Sequence, residues 1–293
     1  MTIAVGLLVG FVAVRFLRLA STDFLRAPAL QRENFQGRLV PTAGGVFIVV
    51  ALLIVEGGRA VLGALGVGSE TGLTLARSEV LFAVFGFGFL GLVDDLVAFG
   101  HDRGFRGHIG ALRGGRVTTG MLKLVGGVCV ALVLVATPGF KDGRTLLVDG
   151  VLIALAANFG NLLDRAPGRT IKAAFVMYVP LAIALGSGPT GVAITVVMGA
   201  AFGLLGDDLR ERLMLGDTGA NVIGAVLGLA VVLGTSETTR VIVMIALVVL
   251  NVTAELVSFS AIIDRVPPLR MLDRAGRRPP PSTGAASGTS PPQ

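Results

Sequence analysis

Long runs almost free of charged side chains alternate with short segments that hold nearly all the acids and bases, and this pattern limits the fold more than any other feature. Such an alternation reads as membrane spans joined by polar loops. Composition agrees: 53% of the residues are hydrophobic, 15% are charged, and the mean hydropathy is +0.81. These values are too apolar for an ordinary soluble domain.

Taken in order, the runs predict an all-α polytopic membrane protein of about nine transmembrane helices. The spans are Met1 to Val14 continuing toward Ala20, Ala43 to Val55, Val80 to Val93, Leu124 to Phe140, Gly150 to Leu163, Ala173 to Leu185, Pro189 to Gly206, Thr218 to Ser236, and Val241 to Ile263. Several runs are shorter than the roughly 20 residues needed to cross the hydrocarbon, so their helices should continue into polar flanks. The sixth and seventh spans share one uncharged run, divided at the Gly-Ser-Gly-Pro of residues 186 to 189, because Gly and Pro together end helices. Residues 1–278 form one transmembrane domain, and the Pro, Ser and Gly rich tail 279–293 is expected to be disordered.

Basic residues set the orientation. Loops after odd-numbered spans carry 20 of the 25 Lys and Arg, and the opposite side carries only Arg59, Arg77, Lys141, Arg144 and Arg240. The positive-inside rule makes the first side cytoplasmic, with the N-terminus outside and the C-terminus in the cytoplasm. A cleaved signal peptide would carry its bases ahead of the apolar run, whereas Arg15 and Arg18 follow it. The net charge of +6 is accounted for by topology and the lipid bilayer, without a nucleic-acid partner. Cys129 is the single cysteine, so no intramolecular disulfide forms.

Acidic residues gather at the cytoplasmic ends of spans: Asp94 and Asp95 after the third, Asp164 after the fifth, and Asp207, Asp208 and Asp217 after the seventh. Carboxylates at membrane depth are costly, so their convergence suggests a shared polar site, against the simpler reading of solvated boundary residues. Without Cys or His partners, such a set favours a hard cation bound through oxygen, most simply Mg2+. Asp217 sits in a Gly-Asp-Thr-Gly turn before an apolar helix start near Thr218, where free N–H groups and the positive dipole end suit phosphate. Asp94 and Asp95 are neighbours, so on a helix they point about 100° apart and only one is expected to touch a metal. Arg38 and Thr42, in the NFQGRLVPTAGG segment, are compatible with anion binding or with a plain helix start. Glu255 interrupts the ninth span and is a functional suspect on the same grounds.

Together, PTAGG, GLVDDL, TTGMLKL, NFGNLLDRAPG, LMLGDTGANVIG and ELVS, in this order from Asn34 to Ser258, resemble the polyprenyl-phosphate N-acetylhexosamine-1-phosphate transferases, of the phospho-N-acetylmuramoyl-pentapeptide transferase type. The resemblance implies a Mg2+-dependent transferase of the plasma membrane. It would move an N-acetylhexosamine-1-phosphate, or a muramoyl-pentapeptide phosphate, from a UDP-linked amino sugar to polyprenyl phosphate on the cytoplasmic face, a step of cell-wall biogenesis that releases UMP. It also implies roles: Asp217 as principal metal ligand with Asn161 beside it, and Asp94, Asp95, Asp164 and Lys123 as catalytic. The candidate substrate-binding residues, taken from the residues themselves as well as from the resemblance, are Arg38, Thr42, Asn161, Asp207, Met214, Arg265 and Arg270.

The chain departs from the family at several positions. A second aspartate after Asp164 is replaced by Pro167, an expected lysine by Ala98, and an aromatic residue before the Gly-Asp-Thr-Gly turn by Met214. The usual histidine cluster of the last cytoplasmic loop is absent, and the only histidines, His101 and His108, lie after the third span. Arg265 and Arg270 could serve the sugar phosphate instead, or act only as positive-inside anchors. A non-catalytic lipid-phosphate-binding or scaffold protein of the same fold is the alternative, and a homodimer is compatible with either reading.

Overall fold

The computed structural model describes residues 2–34, 36–68, 72–97, 110, 115, 117–136 and 142–278. Ala98, His101, His108, the whole loop between residues 98 and 109, and the tail 279–293 lie outside the described residues.

The long helices are α1 (Ile3–Ala20), α3 (Val46–Ala64), α4 (Leu75–Val97), α5 (Thr119–Val135), α6 (Gly143–Leu163), α7 (Arg169–Leu185), α8 (Pro189–Leu209), α9 (Gly216–Gly234) and α10 (Glu237–Leu256). Short helices α2 (Thr22–Leu25), α11 (Phe259–Arg265) and α12 (Pro267–Arg274) and a 3-10 turn, Pro28–Leu30, are also described. Seven helices, all but α5 and α7 among the long ones, are long and apolar enough to cross a membrane. Helices α5 and α7 have 17 residues each.

Most helices do run beyond their uncharged stretches, and local capping explains where several of them begin. Thr2, Thr118, Asp142 and Ser236 each accept a hydrogen bond from the backbone N–H three residues on, satisfying one orphan donor of the first turn. Between α7 and α8, Gly186 takes a positive φ of 59° and Pro189 occupies the first turn of α8, so the helix break falls where the Gly-Ser-Gly-Pro stretch predicts it.

Two expectations need correction. The ninth span does not run to Ile263: α10 stops at Leu256, Val257 is extended, and a separate α11 starts at Phe259. Glu255 and Ser258 bracket the break, polar residues that interrupt the apolar run there. The fold is also not wholly helical. Strands β1 (Gln31–Glu33) and β2 (Leu39–Pro41) form an antiparallel hairpin, with Arg32 opposite Val40. Glu211 holds this hairpin from outside, accepting hydrogen bonds from Asn34 Nδ2 (2.6 Å) and Gln36 Nε2 (3.2 Å).

Helix α9 is the axis of the bundle. It packs most extensively against α6 and α4, then α7, while α8 packs chiefly against α1. Within the bilayer no hydrophobic force drives one helix onto another, so close approach relies on small side chains. The α6–α9 seam is built that way: a Cβ on Gly224 would strike the backbone of Ala156, and one on Gly160 the carbonyl of Ala220. Helices α1 and α10 lie at the periphery, with 17% and 6% of their apolar windows buried against 78% for α9.

The ends of the bundle separate two kinds of charge. At one end, buried Glu56 of α3 pairs with Arg77 of α4 and Arg59, and Asp149 of α6 pairs with Arg240 of α10 at 2.6 Å. At the other end lie the C-terminus of α4, the N-terminus of α5, the C-terminus of α6 and the N-terminus of α9, where most of the sequence-predicted carboxylates meet.

Candidate active site

At the N-terminus of α9, Gly216 adopts a φ of +71°, a left-handed conformation that side chains resist. A Cβ there would lie 2.7 to 2.8 Å from Ala43 N, Asp95 Oδ2 and Thr42 Oγ1, so glycine is needed for space as well as for conformation. The turn is held against the loop before α3 by backbone bonds: Met214 N donates to Pro41 O (2.7 Å), Gly44 N to Met214 O (3.0 Å), and Gly45 N to Leu215 O (2.9 Å).

Helix α9 has no capping side chain of its own. Asp95, arriving from α4, takes that role: it accepts from Asp217 N (3.1 Å), Thr218 N (3.0 Å), Thr218 Oγ1 (2.6 Å) and Thr42 Oγ1 (3.2 Å). The anion at this helix start is therefore the protein's own carboxylate. The N–H groups of residues 217 and 218, and those of Gly44 and Gly45, are already engaged, which differs from the open phosphate cradle that the sequence suggested.

Its neighbour Asp94 points elsewhere. Lys123 Nζ, reaching from α5, pairs with Asp94 Oδ2 at 3.1 Å and with Asp217 Oδ2. Asn161 of α6 completes the group: in the amide orientation that satisfies both neighbours, its nitrogen donates to Asp217 Oδ1 (2.6 Å) and its oxygen accepts from Lys123 Nζ (2.9 Å). Four helices thus place two carboxylates, an amide and one ammonium within hydrogen-bond reach of each other. All four side chains are partly exposed.

Asp164 caps the end of α6 and accepts from Thr170 Oγ1 at 3.1 Å. Partial burial pushes its carboxyl well above the usual range, and the charges of Asp208 and Asp217 push it further, against the Thr170 hydrogen bond. Asp208 itself accepts from Gly168 N at 2.8 Å. Around Lys123 the carboxylates outnumber the cation, so a further positive charge would be favoured there.

Among the described residues, no group of three or more His, Cys, Asp and Glu side chains could hold a metal ion. The oxygen donors that do converge, Asp94, Asp217 and Asn161, surround an ammonium. Mg2+ is commonly held by one or two carboxylates together with substrate phosphates and water. The donor chemistry of Asp217, Asn161 and Asp94 fits that pattern.

The other expected site residues stand apart from this cluster. Buried Asp207 pairs with Arg15 (2.5 Å), Arg212 (3.5 Å) and Arg18 (3.8 Å), joining α8 to α1. Arg38 lies 3.9 Å from Glu211 at the hairpin. Thr42 is buried and serves Asp95. Met214 contributes its backbone to the loop pairing and leaves its side chain partly exposed. Arg265 ends α11, exposed, and Arg270 of α12 donates to Asp264 O at 3.4 Å. Glu255 is exposed in the last turn of α10, beside a cavity of about 260 Å3 that Arg165 and Ser258 also line.

Two contributors escape a reading from sequence. Thr218 ties α9 to Asp95 through both its N–H and its hydroxyl; its place in Gly-Asp-Thr-Gly was the available signal. Arg32 of β1 donates to the carbonyls of Asp95 (2.9 Å) and Leu96 (3.2 Å), satisfying the C-terminal end of α4, and nothing in its sequence neighbourhood marks it.

No protein-family model matches the chain. It is similar to two curated phospho-N-acetylmuramoyl-pentapeptide-transferases. That of Borreliella afzelii is 25% identical over 262 residues, covering 79% of this chain and 72% of the relative. That of Borrelia garinii subsp. bavariensis is 23% identical over 258 residues, covering 77% and 70%.

Proposed function

We propose that this chain, a distant relative of the phospho-N-acetylmuramoyl-pentapeptide-transferases, is a membrane phosphosugar transferase whose site is the Asp94, Lys123, Asn161 and Asp217 cluster. The carrying observation is the meeting of these four side chains from four helices at one end of the bundle. Its substrates are a UDP-linked amino sugar, carrying an N-acetylhexosamine-1-phosphate or a muramoyl-pentapeptide phosphate, and polyprenyl phosphate.

In the transfer, an acceptor phosphate oxygen forms a bond to the sugar-bearing phosphorus, and the bond from that phosphorus to UMP breaks. The acceptor is already ionised near neutral pH, so positioning matters more than a general base. Lys123 offers a positive charge to phosphate oxygens while its two carboxylates hold it in place. Asp95 fixes the start of α9, and with it Asp217, against α4. Asp217 and Asn161, with Asp94 beside them, would hold Mg2+. When bound, the ion neutralises diphosphate charge and stabilises the departing UMP. The working face is cytoplasmic and the membrane is the plasma membrane, where a nucleotide sugar is accessible.

The test is UMP release by the purified full-length protein supplied with polyprenyl phosphate, Mg2+, and each of a panel of UDP-N-acetylhexosamines and UDP-muramoyl-pentapeptide. Release with at least one donor, abolished by EDTA and by Asp217→Ala, is the expected result. A folded protein that releases UMP from none of them would sink the proposal.

A further inference from the structure

A second polar site lies away from the Lys123 cluster. Where α1 ends, against α2 and the β1–β2 hairpin, a cavity of about 320 Å3 is lined by Arg18, Arg26 and Arg212 with Thr22, Gln31 and Pro41. Among the described residues, no acidic side chain lines it.

The arginines around this cavity exceed their carboxylate partners. Asp207 is shared by Arg15, Arg212 and Arg18 at 2.5, 3.5 and 3.8 Å, so Arg15 takes the close hydrogen bond and the two cavity arginines are left with long pairings. Among the described residues, Arg26 pairs with Asp23, at 3.6 Å between two exposed side chains that water screens. Four guanidinium groups thus face two carboxylates. Arg18 Nε is buried and has no hydrogen-bond partner, a donor that lacks its acceptor.

The surroundings are those of a bilayer surface. Phe16 and Leu19 in the last turns of α1 and Phe24 of α2 are 67%, 69% and 42% exposed, so an apolar rim borders a cationic cavity. That combination matches an amphiphile with an anionic head: guanidinium groups pair with phosphate oxygens, and acyl chains lie along α1. We propose that this cavity binds a phosphate group, presented by the headgroup of an anionic phospholipid or supplied as free phosphate. The site shares no lining residue with the Asp94, Lys123, Asn161 and Asp217 cluster, and stands independently of the transferase reading.

The experiment uses native mass spectrometry of the full-length protein in detergent, titrated with phosphatidylglycerol, with phosphatidylcholine as the zwitterionic comparison. Inorganic phosphate is tested separately, by its protection against thermal unfolding. Phosphatidylglycerol should be retained over phosphatidylcholine, and Arg18→Gln with Arg212→Gln should weaken that retention by about tenfold or more, the effect of losing one charge-assisted hydrogen bond. If inorganic phosphate instead protects the wild type and not this variant, the source is free phosphate and the site stands. Arg26→Gln alters only an exposed pairing and should weaken binding by a smaller factor without affecting folding, so it decides the matter if the double variant does not fold. Equal binding of both lipids with no effect of either variant, and no arginine-dependent protection by phosphate, overturns the proposal.

Discussion

Replacing Asp94 and replacing Asp95 should have different consequences, although the two side chains are identical and adjacent. Asp95 accepts four hydrogen bonds, two of them from the opening N–H groups of α9. An asparagine there keeps the shape, loses the charge and turns one acceptor into a donor. Asp95→Asn is therefore expected to destabilise the fold by about 2–3 kcal/mol, read as a lowered unfolding temperature in detergent. Asp94 instead pairs with Lys123, which Asp217 and Asn161 also hold. Asp94→Asn should leave the unfolding temperature nearly unchanged and, on the proposed function, lower UMP release by roughly 100-fold. Equal losses of stability in the two variants would contradict this division. Gly216→Ala is expected to cost at least about 2 kcal/mol, from the left-handed φ and from a Cβ pressed on Asp95 and Thr42.

At the scale of elements, α12 is held to the bundle by a charged clasp. Arg169, at the start of α7, grips Asp273 through Nε (2.8 Å) and Nη2 (3.1 Å) and reaches Ser260 at 2.9 Å. Lys172 donates to the carbonyls of Leu272, Asp273 and Ala275, capping the C-terminus of α12. Arg277 adds a pair with Asp273 and a bond to Pro167 O at 3.0 Å. Thus Pro167 takes part through its backbone in docking the last loop. Burial raises the Asp273 carboxyl, but the hydrogen bonds and charge of Arg169, with the charges of Arg277 and Lys172, bring it below its usual value. A depressed folded value contributes stability that is fully present above the unfolded value, near pH 4, and is lost as pH falls through the folded one. Protection from hydrogen exchange across residues 267–278, relative to the unfolded chain at the same pH, should therefore stay high at neutral pH and fall below about pH 4. Arg169→Met should lower that protection already at pH 7, because it leaves buried Asp273 without the partner that grips both of its oxygens. Unchanged exchange in that variant would mean that apolar packing, not the clasp, docks the helix.

For the whole molecule, charge asymmetry predicts orientation. Arg59, Arg77 and Arg240, on the expected outer side, are paired with Glu56 or Asp149, so little net positive charge remains there. In a Cys129→Ser background, Arg278→Cys should react with a membrane-impermeant maleimide only when the cytoplasmic face is open. Arg144→Cys, exposed at the start of α6, should react from the outside of intact cells. The reverse pattern would invert the topology.

Much of the architecture was legible because a bilayer translates sequence directly into structure: an uncharged run must be helical to satisfy its backbone, so the runs gave the helices and Gly-Ser-Gly-Pro gave the break before α8. Asp94 and Asp217 could be anticipated for a related reason, since ionisable groups at helix ends in an apolar chain have few other uses, whereas Lys123 and Asn161 were anticipated only through the family resemblance. The hairpin was not legible, because two three-residue strands leave no hydrophobic period to detect. Nor could sequence separate Asp94 from Asp95, or remove Asp207, Arg38 and Thr42 from the central cluster. Those assignments depend on which partner arrives from a distant segment: Thr218 for Asp95, Lys123 for Asp94, Arg15 for Asp207. Solvent chemistry sets the helices along the chain, whereas a carboxylate's role is set by neighbours about 30 to 190 residues away that only the packed bundle brings within hydrogen-bond distance.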